Sequence, residues 1–248
     1  MKTIIRFLTA WAALAMSMAA FASGGGVHLD DAHVNLKDKA SLQRGARNFV
    51  ANCLNCHSAQ FMRYSHLTKI GLTEEQIKAN LLFNPDTKIG DTMQAAFPAK
   101  DAKEWLGTVP PDLTLVTRSR GSDWVYTFLR SFYVDPKSPS GWNNQVFPNT
   151  SMPHVLHDLQ GTQYMVKIGE RVDHGHKVDV TTLETKRAGT LTAQEYDLYV
   201  HDLVNFLTFM GEPARVERQQ IGIIAMFFLV VAFFAALLLK HEYWKDVK

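Results

Sequence analysis

The chain is expected to be mostly α-helical: one exported domain tethered by a single C-terminal transmembrane helix. Three observations carry this expectation. Apolar side chains recur at helical spacing in segments 38–53, 72–83, 122–133 and 192–211. The run Ile221–Leu239 spans 19 residues without a charge or a strongly polar side chain, which makes about 28 Å of helix, close to the thickness of a bilayer's hydrocarbon core. The N-terminus reads as an export signal. No internal repeat and no Gly-x-Gly-x-x-Gly or Walker pattern interrupts this picture.

In chain order, Lys2 and Arg6 precede an apolar run from Phe7 to about Ala20, closed by the small-x-small pattern Ala20-Phe21-Ala22. This predicts a signal peptide over residues 1–22 and an exported domain over 23–212. Residues 23–38 are rich in Gly and Asp and predict an extended arm. In "DKASLQRGARNFVANC", Leu42, Ala46 and Val50 form one helical stripe, so the cysteines that follow end a helix. "LTEEQIKANLLF" carries Thr73 and Gln76 at capping-box spacing. "VPPDLTLVTRSRG" predicts a helix starting just after its prolines, which a first turn accepts. "SDWVYTFLRSFY" places Trp124, Phe128 and Phe132 on one helical face. Residues 135–162 read as loop, and 164–191 as short β-prone pieces with a small hairpin. Thr192 and Glu195 box the start of the next helix, striped by Tyr196, Val200, Leu203, Leu207 and Met210 and ended by Gly211. A membrane anchor over 213–240 and a cytoplasmic tail over 241–248 complete the chain, with Lys240, Lys245 and Lys248 beyond the span and Tyr243 and Trp244 as interfacial anchors.

Charge excludes one class of partner. Without Lys2 and Arg6, the exported chain has 24 basic and 24 acidic residues, so no polybasic nucleic-acid surface is expected. The membrane lipid is the partner that the apolar run implies.

The chemistry lies in "CLNCHSA". Cys53 and Cys56 are the only two cysteines, and His57 follows at once. A reactive dithiol wants a helix N-terminus in an α/β fold, whereas this pair ends a helix. Structural zinc wants four Cys or His ligands, and no second pair exists; His174 and His176 in "DHGH" read as loop. Covalent haem c accounts for every residue of the motif: Cys53 and Cys56 form thioethers with the vinyl groups, and His57 binds the iron. Export agrees, since such attachment occurs outside the bacterial cytoplasm. The fold class is therefore a cytochrome c-like haem domain with its transmembrane tether.

The ligand opposite His57 decides the function, because an open iron binds small molecules and a closed one transfers electrons. Met62, Met93, Met152, Met165 and Met210 are the candidate thioethers. Met152 is preferred, since Pro148 and Pro153 stiffen its loop, with Met93 as the alternative and His154 as a competitor. Arg118 and Arg120 are candidate partners for the two haem propionates.

Taken together, "CLNCHS", "MRYSHL", "VPPDLTLVTRSRG", "FPNTSMP" and the C-terminal anchor resemble the cytochrome c1 family, haem subunits of the ubiquinol–cytochrome c oxidoreductase (cytochrome bc1) complex. The resemblance covers nearly the whole mature chain, and the short form with a signal peptide resembles proteobacterial members. It implies Met152 as sixth ligand, Arg120 as propionate partner and Pro111 in the haem pocket. It also implies cytochrome b and a Rieske iron–sulfur protein as partners in a dimeric complex, a c-type cytochrome as electron acceptor, and a single-pass location in the inner membrane with the haem domain in the periplasm. On this reading the chain is a relay and catalyses no bond change itself. "DAKEWLGTVPPDL" departs from the Asn-rich sequence of many members, and neither an extra cysteine pair nor a long acidic insertion is present. Alternatives from the residues alone are a tethered monohaem cytochrome serving another oxidase or reductase, and an open-iron sensor or peroxidase.

Overall fold

The computed structural model describes residues 27–173 and 176–246. The expected signal peptide, the start of the arm, His174 and Lys248 lie outside the described residues. Asp38 opens helix α1 (Lys39–Asn52), its carboxylate accepting the Ser41 N–H at 3.0 Å and so satisfying a donor that a helix start leaves unpaired. Leu42, Ala46 and Val50 form the expected buried stripe. Strand β1 (Ala59–Arg63) and a 3₁₀ turn over Tyr64–Ile70 lead to α2 (Glu74–Leu81), with Thr73 and Gln76 in the reciprocal cap expected for them. Strand β2 (Thr92–Met93) pairs antiparallel with β1, and α3 (Ala99–Leu106) follows.

The second half contains α4 (Val116–Arg120), α5 (Ser122–Arg130), the short antiparallel strands β3 (Phe132–Val134) and β4 (Trp142–Asn144), and α6 (His157–Gln160). The long strands β5 (Gly161–Asp173) and β6 (His176–Ala188) precede α7 (Ala193–Gly211) and α8 (Arg215–Tyr243). The capping box at Thr192 and Glu195 opens α7, and Tyr196, Val200, Leu203, Leu207 and Met210 are all buried.

Three local expectations are corrected. The helix expected right after Pro111 begins only at Val116, because the Asp112 carboxylate accepts the N–H groups of Thr114 (2.9 Å) and Gln60 (2.7 Å) and holds the intervening turn against β1. Phe132 lies on β3 and not on the helix of Trp124, since α5 stops at Arg130 and Phe132 pairs with Asn144. The aromatic row nevertheless continues through space: Trp124 stacks on Phe128 at 5.1 Å, and Phe128 meets Phe132 at 4.9 Å. The hairpin expected to be small has strands of 13 residues each. Its length was hidden because charged residues alternate with β-branched ones, and Lys167 links Glu170 and Asp179 at 2.6 and 2.7 Å. Gly211 ends α7 as expected, though without a left-handed conformation. A Cβ there would lie 3.3 Å from Arg118 Cγ and 3.4 Å from the Thr114 carbonyl oxygen, so its bareness serves the close packing of α4.

The core centres on the crossing of α1 and α7. Gly45 lets the two backbones touch: a Cβ at this position would sit 2.0 Å from the Asp202 carbonyl oxygen. On one side of the crossing Arg44 forks onto the Asp202 carboxylate at 2.5 and 3.0 Å. On the other, the fully buried rings of Phe49 and Phe206 meet at 5.8 Å.

The arm is tied down as well as extended. The Asp30 N–H donates to Thr127 Oγ1 and the Ala32 N–H to Asp123 Oδ1, both on α5. Buried Asn205 on α7 accepts the Asn35 N–H at 2.9 Å and donates to the Asn35 carbonyl and to Ser41 Oγ. Asn205→Ala strands these groups with no replacement partner, and is expected to cost about 2 kcal/mol. Limited proteolysis should then cut within residues 28–37 at temperatures where the rest of the domain stays protected. An unchanged cleavage pattern would show that the arm is held elsewhere.

Helix α8 has a mean hydropathy of 3.0 over its most apolar 18 residues and none of that stretch is buried against the rest of the chain. Its phenylalanine, leucine and isoleucine side chains need another apolar environment, and its length suits a bilayer. It is the candidate membrane span.

Candidate functional site

The Cys53–His57 motif unwinds the end of α1 in one turn. Cys53 caps the helix, its N–H donating to the Phe49 carbonyl at 2.8 Å. The Cys53 carbonyl then accepts the N–H groups of Cys56 (3.1 Å) and His57 (2.8 Å), so both cysteines and the histidine belong to a single closed turn. The two thiols are not joined in a disulfide. Desolvation holds the Cys53 thiol well above the ordinary range, with a smaller push from Cys56. A redox dithiol needs a lowered pKa, so the electrostatics oppose that chemistry.

His57 is positioned from the other side. Its Nδ1 lies 2.7 Å from the Pro111 carbonyl oxygen. A carbonyl can only accept, so Nδ1 carries the proton and Nε2 keeps its lone pair for a metal. Burial lowers the imidazole pKa, opposed by the Pro111 hydrogen bond and the Asp112 charge, which favours the neutral, ligating form. The Pro-Pro-Asp-Leu segment is fastened along the motif: Leu113 N–H donates to the Ser58 carbonyl at 2.9 Å, and Asp112 braces Gln60 and Thr114. Asp112 was not singled out from the sequence; its place directly after the two prolines was the available signal.

The candidate thioethers separate by burial. Met62, Met93 and Met210 are no more than 2% exposed, enclosed by protein, and Met93 pairs with Ala59 in the β1–β2 ladder. Met165 lies on the outer hairpin. Met152 is partly exposed in an irregular loop. Its neighbour His154 is 3% exposed and stacked flat on Phe132, which occupies a ring face and leaves it poorly placed to compete.

The stiffness of the Met152 loop rests on more than its prolines. Asn144, fully buried, accepts the N–H groups of Val146 and Phe147 and donates to the Phe128 carbonyl at 2.7 Å. Asn143 accepts the Asn149 N–H at 2.8 Å, steadying Asn149 at φ +63, where asparagine is tolerated. These asparagines were missed because "WNN" lies in a stretch with the composition of a loop.

The two arginines of "TRSRG" part company. Arg118 faces Glu212 at 3.9 Å, at the junction of α7 and α8. Arg120, exposed at the end of α4, lies over the rings of Trp124 (5.2 Å) and Phe147 (5.8 Å), and has no carboxylate partner among the described residues. Through Phe147 it adjoins the loop that carries Met152. A groove of about 640 Å³ opens beside the motif at Val50, Leu54 and Asn55, but none of the six candidate residues borders it.

A covalent c-type haem fits this donor set. Two unpaired thiols lie in one turn, an imidazole keeps Nε2 available, a thioether is accessible, and a guanidinium lacks a carboxylate. No group of three or more His, Cys, Asp or Glu suited to a metal ion occurs among the described residues.

The family model for the Cytochrome C1 family matches residues 29–183 and 185–247. The chain is 50% identical over 230 residues to the protein named cytochrome c1 of Allochromatium vinosum, covering 92% of this chain and 93% of that protein. It is 43% identical over 244 residues to a Nitrosomonas europaea protein named ammonia monooxygenase gamma subunit, covering 98% and 99%. Cytochrome c1 of Rhodospirillum rubrum is 26% identical over the full length of both chains.

Proposed function

Because the chain belongs to the cytochrome c1 family, and so is a haem c electron-transfer subunit held in a membrane, we propose that it accepts single electrons from a Rieske iron–sulfur protein and passes them to a c-type cytochrome. Its setting is a dimeric bc1 complex beside cytochrome b, in the inner membrane of a bacterium. In this arrangement residues 1–22 are removed on export, 23–212 form the periplasmic domain, 213–240 cross the bilayer and 241–248 remain in the cytoplasm.

The observation that carries this reading is the hydrogen bond from His57 Nδ1 to the Pro111 carbonyl. It fixes the tautomer and leaves Nε2 unprotonated, as a ligand to iron requires. Cys53 and Cys56 would hold the macrocycle as thioethers, their S–H groups added across its two vinyl double bonds. Met152 would supply the thioether as the second protein ligand to the iron. Arg120 offers a planar guanidinium to a propionate, and its stacking on Trp124 limits the freedom it loses in binding. Haem c supplies a one-electron ferric–ferrous couple, and ligation by histidine and methionine favours the ferrous side. The residues around it hold geometry constant while the charge changes. No substrate bond is made or broken by this chain, and quinol chemistry belongs to another subunit.

The ammonia monooxygenase name belongs to the Nitrosomonas relative, and the reading here rests on the family match and the cytochrome c1 relative. Mild detergent extraction from native membranes is expected to yield this chain together with a b-type cytochrome and a Rieske protein. Recovery with neither would overturn the complex, and efficient reduction by another donor would overturn the proposed electron source.

A further inference from the structure

We propose that His154 is a positioning residue for the axial methionine, acting as a flat aromatic slab that pins the far end of the Met152 loop. The inference rests on the reading of Met152 as sixth ligand.

His154 lies two residues beyond Met152, with only Pro153 between them. Proline fixes its own φ, so little slack separates the imidazole from the thioether-bearing backbone. The His154 ring is parallel to Phe132, at 4.9 Å and 4°, and meets Trp142 edge-on at 5.2 Å. Phe132 belongs to β3 and Trp142 to β4, the paired strands whose Asn144 also binds the entry of the loop through Val146 and Phe147. One small sheet thus holds the loop at both ends: Asn144 by hydrogen bonds before Met152, and Phe132 with Trp142 by stacking after it. The His154 carbonyl accepts from His157 N and faces His157 Nδ1 at 3.0 Å, which carries the anchoring on into α6.

The imidazole's own polarity is little used. His154 Nε2 is buried and has no hydrogen-bond partner, and neither has Gln160 Oε1. Gln160 is the polar side chain that acts on the ring, in a geometry that makes no hydrogen bond, so the ring, 3% exposed, is held chiefly by its shape and stacking. Phenylalanine should therefore replace it, whereas a residue without a flat face should not.

The experiment uses the full-length holoprotein in membranes or detergent and compares the parent, His154→Ala, His154→Phe, Met152→Leu and the double variant Met152→Leu/His154→Ala. The readouts are carbon monoxide binding by the ferrous form and the visible absorption of the ferric iron–thioether bond. Losing an aromatic pair should raise the carbon monoxide-accessible fraction about three- to tenfold in His154→Ala, with a matching loss of the thioether band. His154→Phe should stay near the parent, and the double variant should match Met152→Leu alone. If Met152→Leu changes both readouts and His154→Ala changes neither, the positioning role is overturned while the ligand assignment stands. If Met152→Leu itself changes neither, the ligand assignment falls. Should His154→Ala fail to accumulate with haem, His154→Leu, which keeps bulk without a flat ring, takes its place with the same expectation. Carbon monoxide binding by His154→Phe at the level of that variant would also overturn the proposal.

Discussion

Met152→Leu is expected to lower the haem reduction potential by on the order of 0.1–0.2 V, a modest part of the roughly 0.8 V range that axial ligands command. A thioether stabilises ferrous iron, and leucine offers no lone pair, so the ferric form gains relative weight. At 59 mV per tenfold for one electron, a shift of about 0.15 V changes the equilibrium with any acceptor a few hundredfold. Leucine is close to methionine in volume, so the loop should repack for less than about 1.5 kcal/mol and the fold should survive. A redox titration with a carbon monoxide difference spectrum checks both consequences. An unchanged potential would return the sixth position to another residue. Met93 would then have to leave its fully buried place beside β1 to serve.

Gly45→Ala is expected to cost about 3–5 kcal/mol, a large fraction of the 5–15 kcal/mol that holds a typical domain together. The new Cβ would stand 2.0 Å from the Asp202 carbonyl oxygen and 2.6 Å from Phe206 Cβ. The nearest obstacle is backbone, so no rotamer change relieves it and the helices must separate. Separation lengthens the Arg44–Asp202 fork and opens the contact of Phe49 with Phe206. Ordinary overpacking costs about 1–3 kcal/mol, and this clash disturbs the whole crossing. Helix propensity alone predicts the opposite sign, since alanine is better than glycine by about 1 kcal/mol in a helix. Denaturant unfolding of the haem-loaded protein decides between them, and a raised midpoint would mean that α1 and α7 do not pack as described.

Much of the helical framework was legible because its signals are local. Thr73 and Thr192 each cap a helix through a residue three positions on, so spacing along the chain is enough to find them. The stripes of α1 and α7 were legible for the same reason, since 3.6-residue periodicity needs no partner to be recognised. The length of the hairpin was not. Its strands take their stability from pairing with each other, and their exposed faces carry charges that mask a β pattern. The delayed start of α4 was also hidden, since it follows from Asp112 binding Gln60, 52 residues away in sequence.

At the site the division has the same origin. The sequence by itself determined the haem attachment chemistry, because two cysteines and a histidine must be near neighbours to act on one macrocycle. It also determined the membrane tether, because an apolar run of bilayer length needs no fold to be recognised. Only the tertiary structure shows that Arg118 turns to Glu212 while Arg120 rests on Trp124 and Phe147. It also separated Met152 from the buried methionines, and supplied the Pro111 carbonyl that orients His57. Burial, stacking and the aim of a ring nitrogen are set by residues tens of positions apart, and spacing along a chain holds no record of them until it has folded.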